Sequence, residues 1–146
     1  MGVMDINMKH WMYVLLAVLL LVTAGCGKKV WPEPDAQEEK FALQIENSEI
    51  DNSCLEIQAV ISGNYRNLAG LVLELEEADE PCPGCPLRVD QTVNFGMNSP
   101  HVERQDERIQ ISYCGVDPKK YIRFRLVGSN VYSQISEAQS EVKQLY

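Results

Sequence analysis

Five cysteines are the residues of this chain best equipped for chemistry: Cys26, Cys54, Cys82, Cys85 and Cys114. Cys26 closes the apolar stretch Leu19-Leu20-Leu21-Val22-Thr23-Ala24-Gly25, whereas Cys82-Pro83-Gly84-Cys85 sits among polar residues. A Cys-x-x-Cys pair can exchange disulfides when a following helix N-terminus lowers one thiol pKa, or supply half of a tetrahedral zinc site. It can also carry haem when His comes next, or close on itself as a disulfide. The residues after Cys85, Pro86-Leu87-Arg88-Val89, read as extended, and Pro86 stands where a haem motif needs His. A structural zinc takes four ligands at short spacings, and only one such pair is present. The self-closed loop is therefore the expectation, with no metal and no cofactor. Thiol–disulfide chemistry at Cys82 and Cys85 is the alternative activity.

Other polar groups point less clearly to a reaction. His101 lies in the loop Gly96-Met97-Asn98-Ser99-Pro100-His101, and a neighbouring serine in sequence does not make a triad, which is a matter of spatial geometry. Glu74, Glu76, Glu77, Asp79 and Glu80 lack the spacing of a calcium loop and read as a solvated strand edge that discourages aggregation. Tyr121, Arg123 and Arg125 alternate along one strand; they are either paired across strands with acids or a recognition face. No catalytic residue is assigned, and the chain is expected not to be an enzyme.

The elements that position these residues begin with an address. Behind Lys9, the apolar run from Trp11 to Val22 ends in small residues, which is the order of a secretory signal. It is shorter than the roughly 20 apolar residues a bilayer span takes. The basic start reads more naturally from Met8 than from Met1, so the first seven residues are expected to be a start-site extension. The end of the run resembles the lipobox of bacterial lipoproteins, with Thr23 where Leu is more usual. In that family the cysteine thiol is diacylated, the chain is cut just before it, and the new amino terminus is acylated. The resemblance thus implies lipidation of Cys26. One acyl chain gives marginal, reversible membrane binding, whereas several together make a stable anchor.

Removing the signal takes away only Asp5 and Lys9, one charge of each sign, so the mature chain keeps the net charge of −8. An acidic body without a basic stripe argues against nucleic acid as a partner. The segment from Gly27 to Glu39 is polar, contains proline and has no period, and reads as an extended tether. The expected layout is a signal peptide over 1–25, a lipidated start and tether over 26–40, and a single domain over 41–146.

From Phe41 the apolar residues recur at every second position. Phe41, Leu43 and Ile45 begin a first strand, followed by turn residues over 47–53. Cys54–Ile61, Leu71–Glu76, Arg88–Phe95 with Val89 and Val93 inward, and Ile109–Tyr113 follow. In the sixth strand Ile122, Phe124, Leu126 and Gly128 share one face, and Gln139–Leu145 supplies a seventh. About seven short strands separated by turns, without an amphipathic helix, indicate an all-β, antiparallel two-sheet sandwich.

The run from Ile109 to Asn130 resembles the E strand, E–F corner and F strand of a fibronectin type III domain. Val116, Pro118, Phe124, Arg125, Leu126 and Asn130 stand at that family's corner and strand positions. The family's corner tyrosine falls on Ile122, with Tyr121 one residue early. Nearly the whole mature chain is similar to a narrower set of bacterial lipoproteins. These are built as a lipobox, a Gly-Lys-Lys start, a proline-containing tether and one such domain with a Cys-x-x-Cys-Pro loop. Gly27-Lys28-Lys29 and Cys82-Pro83-Gly84-Cys85-Pro86 carry the likeness.

Taken alone, the four cysteines after Cys26 allow three disulfide connectivities. The fibronectin type III resemblance, in which the second and fifth strands pair, implies Cys54–Cys114 and, with it, Cys82–Cys85. The resemblance says little about activity; the lack of a reactive constellation, on a fold that usually hosts binding, makes a module that binds another envelope protein the expectation. Gly27, in place of the Asp that favours inner-membrane retention in enteric-type lipoproteins, implies the outer membrane, with the domain facing the periplasm.

Overall fold

The structure is a computed structural model that describes residues 10–16, 37–82 and 84–146. The chain divides into two compact units, Met1–Glu33 and Pro34–Tyr146. In the first, residues 10–16 form a helix whose side chains are all exposed. Among the described residues no helix is long and apolar enough to cross a membrane. The expected cleavage site, Cys26 and most of the expected tether lie outside the described residues.

The second unit is an all-β sandwich of two antiparallel sheets. One sheet has the order β1-β2-β6-β5, formed by Phe41–Asp51, Cys54–Gly63, Arg108–Cys114 and Val102–Gln105. The other has the order β4-β3-β7-β8, formed by Gln91–Gly96, Leu68–Ala78, Tyr121–Asn130 and Ala138–Gln139. A ninth strand, Lys143–Leu145, also pairs with β7. Period-two alternation turns one face of each strand inward. Leu55, Ile57, Ala59 and Ile61 of β2 and Ile109 and Ile111 of β6 come from one sheet; Leu71, Leu73 and Leu75 of β3 and Ile122, Phe124 and Leu126 of β7 come from the other. Together they make one buried core between the sheets.

Several boundaries differ from the sequence reading, each for a local reason. β1 runs on to Asp51, and a bulge between Ile45 and Asn47 leaves Glu46 without a partner on β2. The extra residue changes the phase of the strand, so Ile50 turns toward the core although it is out of step with Ile45. The β1–β2 turn is only Asn52-Ser53, with φ of 47° and 67°. Two successive left-handed residues are the requirement of a tight type I′ hairpin. β4 begins at Gln91, so Val89 stays outside, 39% exposed, and Phe95 supplies the inward side chain instead. Val102–Gln105 is an additional edge strand with Val102 as its one apolar residue. The expected last strand is split at Ser140, which is buried and bonds twice with Leu126: Ser140 N donates to Leu126 O at 2.8 Å, and Leu126 N donates to Ser140 Oγ at 2.9 Å.

The end of the segment expected to be a tether is part of the folded body. Asn130 Nδ2 donates to Glu39 O at 2.8 Å, Asn67 Nδ2 to the same carbonyl at 3.1 Å, and Asn64 Nδ2 to the Glu39 carboxylate at 2.8 Å. Asn67 Nδ2 reaches that carboxylate as well. Asn64 N donates to Lys40 O at 3.0 Å. The segment expected to be a free tether as far as residue 40 is therefore clasped at Glu38 and Glu39, at the end of the sandwich where β3 begins and β7 finishes.

Candidate functional site

The opposite end of the sandwich collects the loops that carry cysteine. Cys54 opens β2 and Cys114 closes β6, and the two are direct cross-strand partners with Cα atoms 3.8 Å apart. Their sulfurs lie at disulfide distance. The adjoining backbone is tied in as well, since Gly115 N donates to Ser53 O at 2.8 Å and Val116 N to the same oxygen at 3.2 Å. Gly115 has φ of 117°, which suits glycine where the chain leaves β6 for the corner.

Cys82 and Cys85 are both exposed on the connection from β3 to β4, with Cα atoms 5.5 Å apart and sulfurs also at disulfide distance. Cys85 N donates to Cys82 O at 3.3 Å, closing a turn, and Gly84 takes φ of 85° within it. No helix follows Cys85; residues 85–90 are irregular and lead directly into β4. A helix N-terminus that would lower a thiol pKa is therefore missing from this side of the loop.

What fixes the loop is Arg123. Its Nη2 donates to the carbonyl of Cys85 and its Nη1 to that of Pro86 at 3.4 Å. Nη1 also pairs with Glu76 Oε2 at 2.9 Å, and the same carboxylate oxygen accepts from Arg88 N at 3.0 Å. Arg123 is 5% exposed and Glu76 8%. Register explains the pairing: Glu76 lies opposite Arg123, and Glu74 opposite Arg125, across β3 and β7. A buried ion pair offsets its desolvation only when the remaining donors and acceptors are also satisfied, and here loop carbonyls and an amide complete the set.

Two expectations are corrected by this geometry. Arg123 does not belong to an open recognition face with Tyr121 and Arg125, because its guanidinium is used inside the protein. Arg125 is half-buried against Glu74 and donates to Gln139 at 3.0 Å, while the half-buried Tyr121 ring meets Tyr146 edge-on with centroids 5.5 Å apart. Glu74 and Glu76 are likewise not a solvated edge: β3 is flanked by β4 and β7, so it is interior to its sheet. The signal was present in the sequence as two acids and two arginines, each pair spaced by two. Pairing across strands with acids was one of the two readings the sequence offered, and the structure bears it out for Arg123 and Arg125; the spacing alone did not say which strands, and so which acids, are neighbours.

His101 is exposed, and its backbone N donates to Ser99 Oγ at 3.3 Å, which makes a turn and not a nucleophile–base pair. Among the described residues no group of three or more His, Cys, Asp or Glu is placed to hold a metal ion. The glutamate–asparagine clasp around Glu39 was missed, since Asn64 and Asn67 on one turn, Asn130 at the end of β7 and Glu39 come from three separate segments that meet only in the fold. No profile of a known protein family and no curated protein sequence matches this chain.

Proposed function

We propose that the chain is a bacterial envelope lipoprotein, anchored through lipid on Cys26, whose sandwich domain works by binding an envelope protein and not by catalysis. The observation that carries this reading is the order along the chain. An apolar run ends in Thr23-Ala24-Gly25-Cys26, a polar segment follows, and a self-contained two-sheet body begins at the clasped Glu39. Membrane attachment then comes from acyl chains, several of which hold a protein stably. Gly27 after the lipid-bearing residue favours the outer membrane, with the domain in the periplasm. The fibronectin type III-like character of the body is supported by the antiparallel pairing of β2 with β6 and by the corner between β6 and β7. Such folds present loops and sheet faces to partners, although fold alone does not name one. Fractionation of cells producing the full chain tests the reading: the protein stays with membranes through a salt and carbonate wash, and Cys26→Ser moves it to the soluble fraction. Retention of that variant in the membrane would remove the lipid anchor from the proposal.

A second reading is kept because one observation favours it: Cys82 and Cys85 are exposed on a loop whose backbone is held by Arg123. A fixed, accessible pair of this kind could exchange disulfides with a partner thiol. A reduction potential well below about −300 mV, the range of inert structural bridges, would exclude it.

A further inference from the structure

We propose that the outer face of the β1-β2-β6-β5 sheet is a binding site for a neutral saccharide ring. A hollow of about 230 Å³ lies there, lined by six polar residues, Glu46, Gln58, Glu103, Gln105, Arg108 and Gln110, and by the buried Ala59 and Ile109. All six are exposed, and none makes a side-chain hydrogen bond or ion pair with a described residue. That is unlike the outer face of the other sheet, where Glu74, Glu76, Arg123 and Arg125 are paired with one another. The register builds the hollow in rows. Gln58 faces Gln110, which faces Glu103 on its other side, and Arg108 lies between Val60 and Gln105. Glu46 is the residue left over at the β1 bulge. Bulges re-aim a side chain away from the regular alternation, and here that side chain lines the hollow.

The chemistry of the lining selects the ligand. Three primary amides both donate and accept, two carboxylates accept only, and one guanidinium donates only. A sugar hydroxyl also donates and accepts at once, so a ring of adjacent hydroxyls matches this mixture. The lining carries two negative charges against one positive, on a chain of net charge −8, which disfavours phosphates, acidic sugars and nucleic acid. None of these six side chains is apolar, and the two apolar residues of the lining, Ala59 and Ile109, are each 2% exposed and belong to the core, so the hollow offers little anchor for the hydrophobic residues of a peptide. Its volume is below the roughly 300–1,000 Å³ of sites for drug-sized molecules, which suits one ring at a time. Without an aromatic platform the affinity for one ring is expected to be about millimolar. The proposal does not depend on how the chain is anchored.

The test uses the full chain in a detergent without a sugar headgroup, followed by amide NMR. Glucose, galactose, mannose and N-acetylglucosamine are titrated in turn. At least one should shift the amides of Gln58, Arg108 and Gln110 saturably. Arg108→Ala and Gln110→Ala should each weaken it about fivefold or more, as expected for the loss of one hydrogen bond, and Glu137→Ala should leave it unchanged. Both variants alter exposed, unbonded side chains, and unshifted amides elsewhere report that they are folded. Failure of all four sugars to shift those amides, shifts that survive both substitutions, or stronger shifts with inorganic phosphate than with any sugar would each overturn the proposal.

Discussion

Arg123, on β7, donates its guanidinium to the backbone carbonyl of Cys85, so a buried side chain sets the position of an exposed cysteine loop. Truncating it strands the Glu76 carboxylate, which is 8% exposed, without its counter-charge. Breaking a buried pair from one side costs about 3–5 kcal/mol, whereas replacing both partners by apolar residues of similar size is often neutral. Arg123→Ala is expected to lower stability by about 3 kcal/mol in denaturant unfolding. Glu76→Leu with Arg123→Met is expected to recover most of that loss. Hydrogen exchange over residues 82–90 should accelerate in both, because each lacks the donor to the loop carbonyls.

The two cysteine pairs should differ in what they contribute. Cys54 and Cys114 are 60 residues apart in sequence, and Cys82 and Cys85 only 3. Loop-closure entropy gives about 4 kcal/mol for the long crosslink and about 2 kcal/mol for the short one. Cys54→Ser with Cys114→Ser should therefore reduce the melting temperature substantially more than Cys82→Ser with Cys85→Ser, as measured by calorimetry. Equal losses would show that the long crosslink does not constrain the unfolded chain.

Gly128 stands on the inward face of β7, where a side chain would force its neighbours to shift. A β-carbon there would come within 2.9 Å of Leu68 Cδ1 and Phe41 Cε2, and within 3.0 Å of Leu43 Cδ1. Gly128→Val should destabilise by about 1–3 kcal/mol through overpacking, read from the midpoint of chemical unfolding. Leu68→Ala combined with it should return part of the loss, since it removes one of the three atoms in the way.

Asn67 is buried and donates to both the backbone and the carboxylate of Glu39. Asn67→Ala leaves acceptors at Glu39 that the side chain had satisfied, an expected cost of about 1–3 kcal/mol. It should also loosen the lead-in to β1. Trypsin should then cut after Lys40 faster than in the parent chain while sites within the sheets remain protected.

Much of this fold was legible in the residues from 54 to 62 and from 109 to 128, because clean two-residue alternation marks strands with one buried face. Ile57, Ile111, Phe124 and Leu126 are all fully buried, as that pattern requires. The pattern failed where the backbone broke its own period. The bulge at Glu46 put Ile50 out of step with Ile45, and the split at Ser140 left two strands of only 2 and 3 residues. The edge strand Val102–Gln105 has one apolar residue, too few for a periodic signal. At the loop end, the cysteines were visible in sequence but their arginine was not. Its role depends on Glu76, Cys85 and Pro86, which are 47, 38 and 37 residues away.

The most direct test of the lipoprotein reading is the intact mass of the protein extracted from membranes. The predicted species begins at Cys26, carries acyl groups on its thiol and its amino terminus, and is four hydrogens lighter than the all-thiol form, two for each cysteine pair. A freely soluble product in which Cys26 is unmodified, or in which the residues before it are still present, would contradict it.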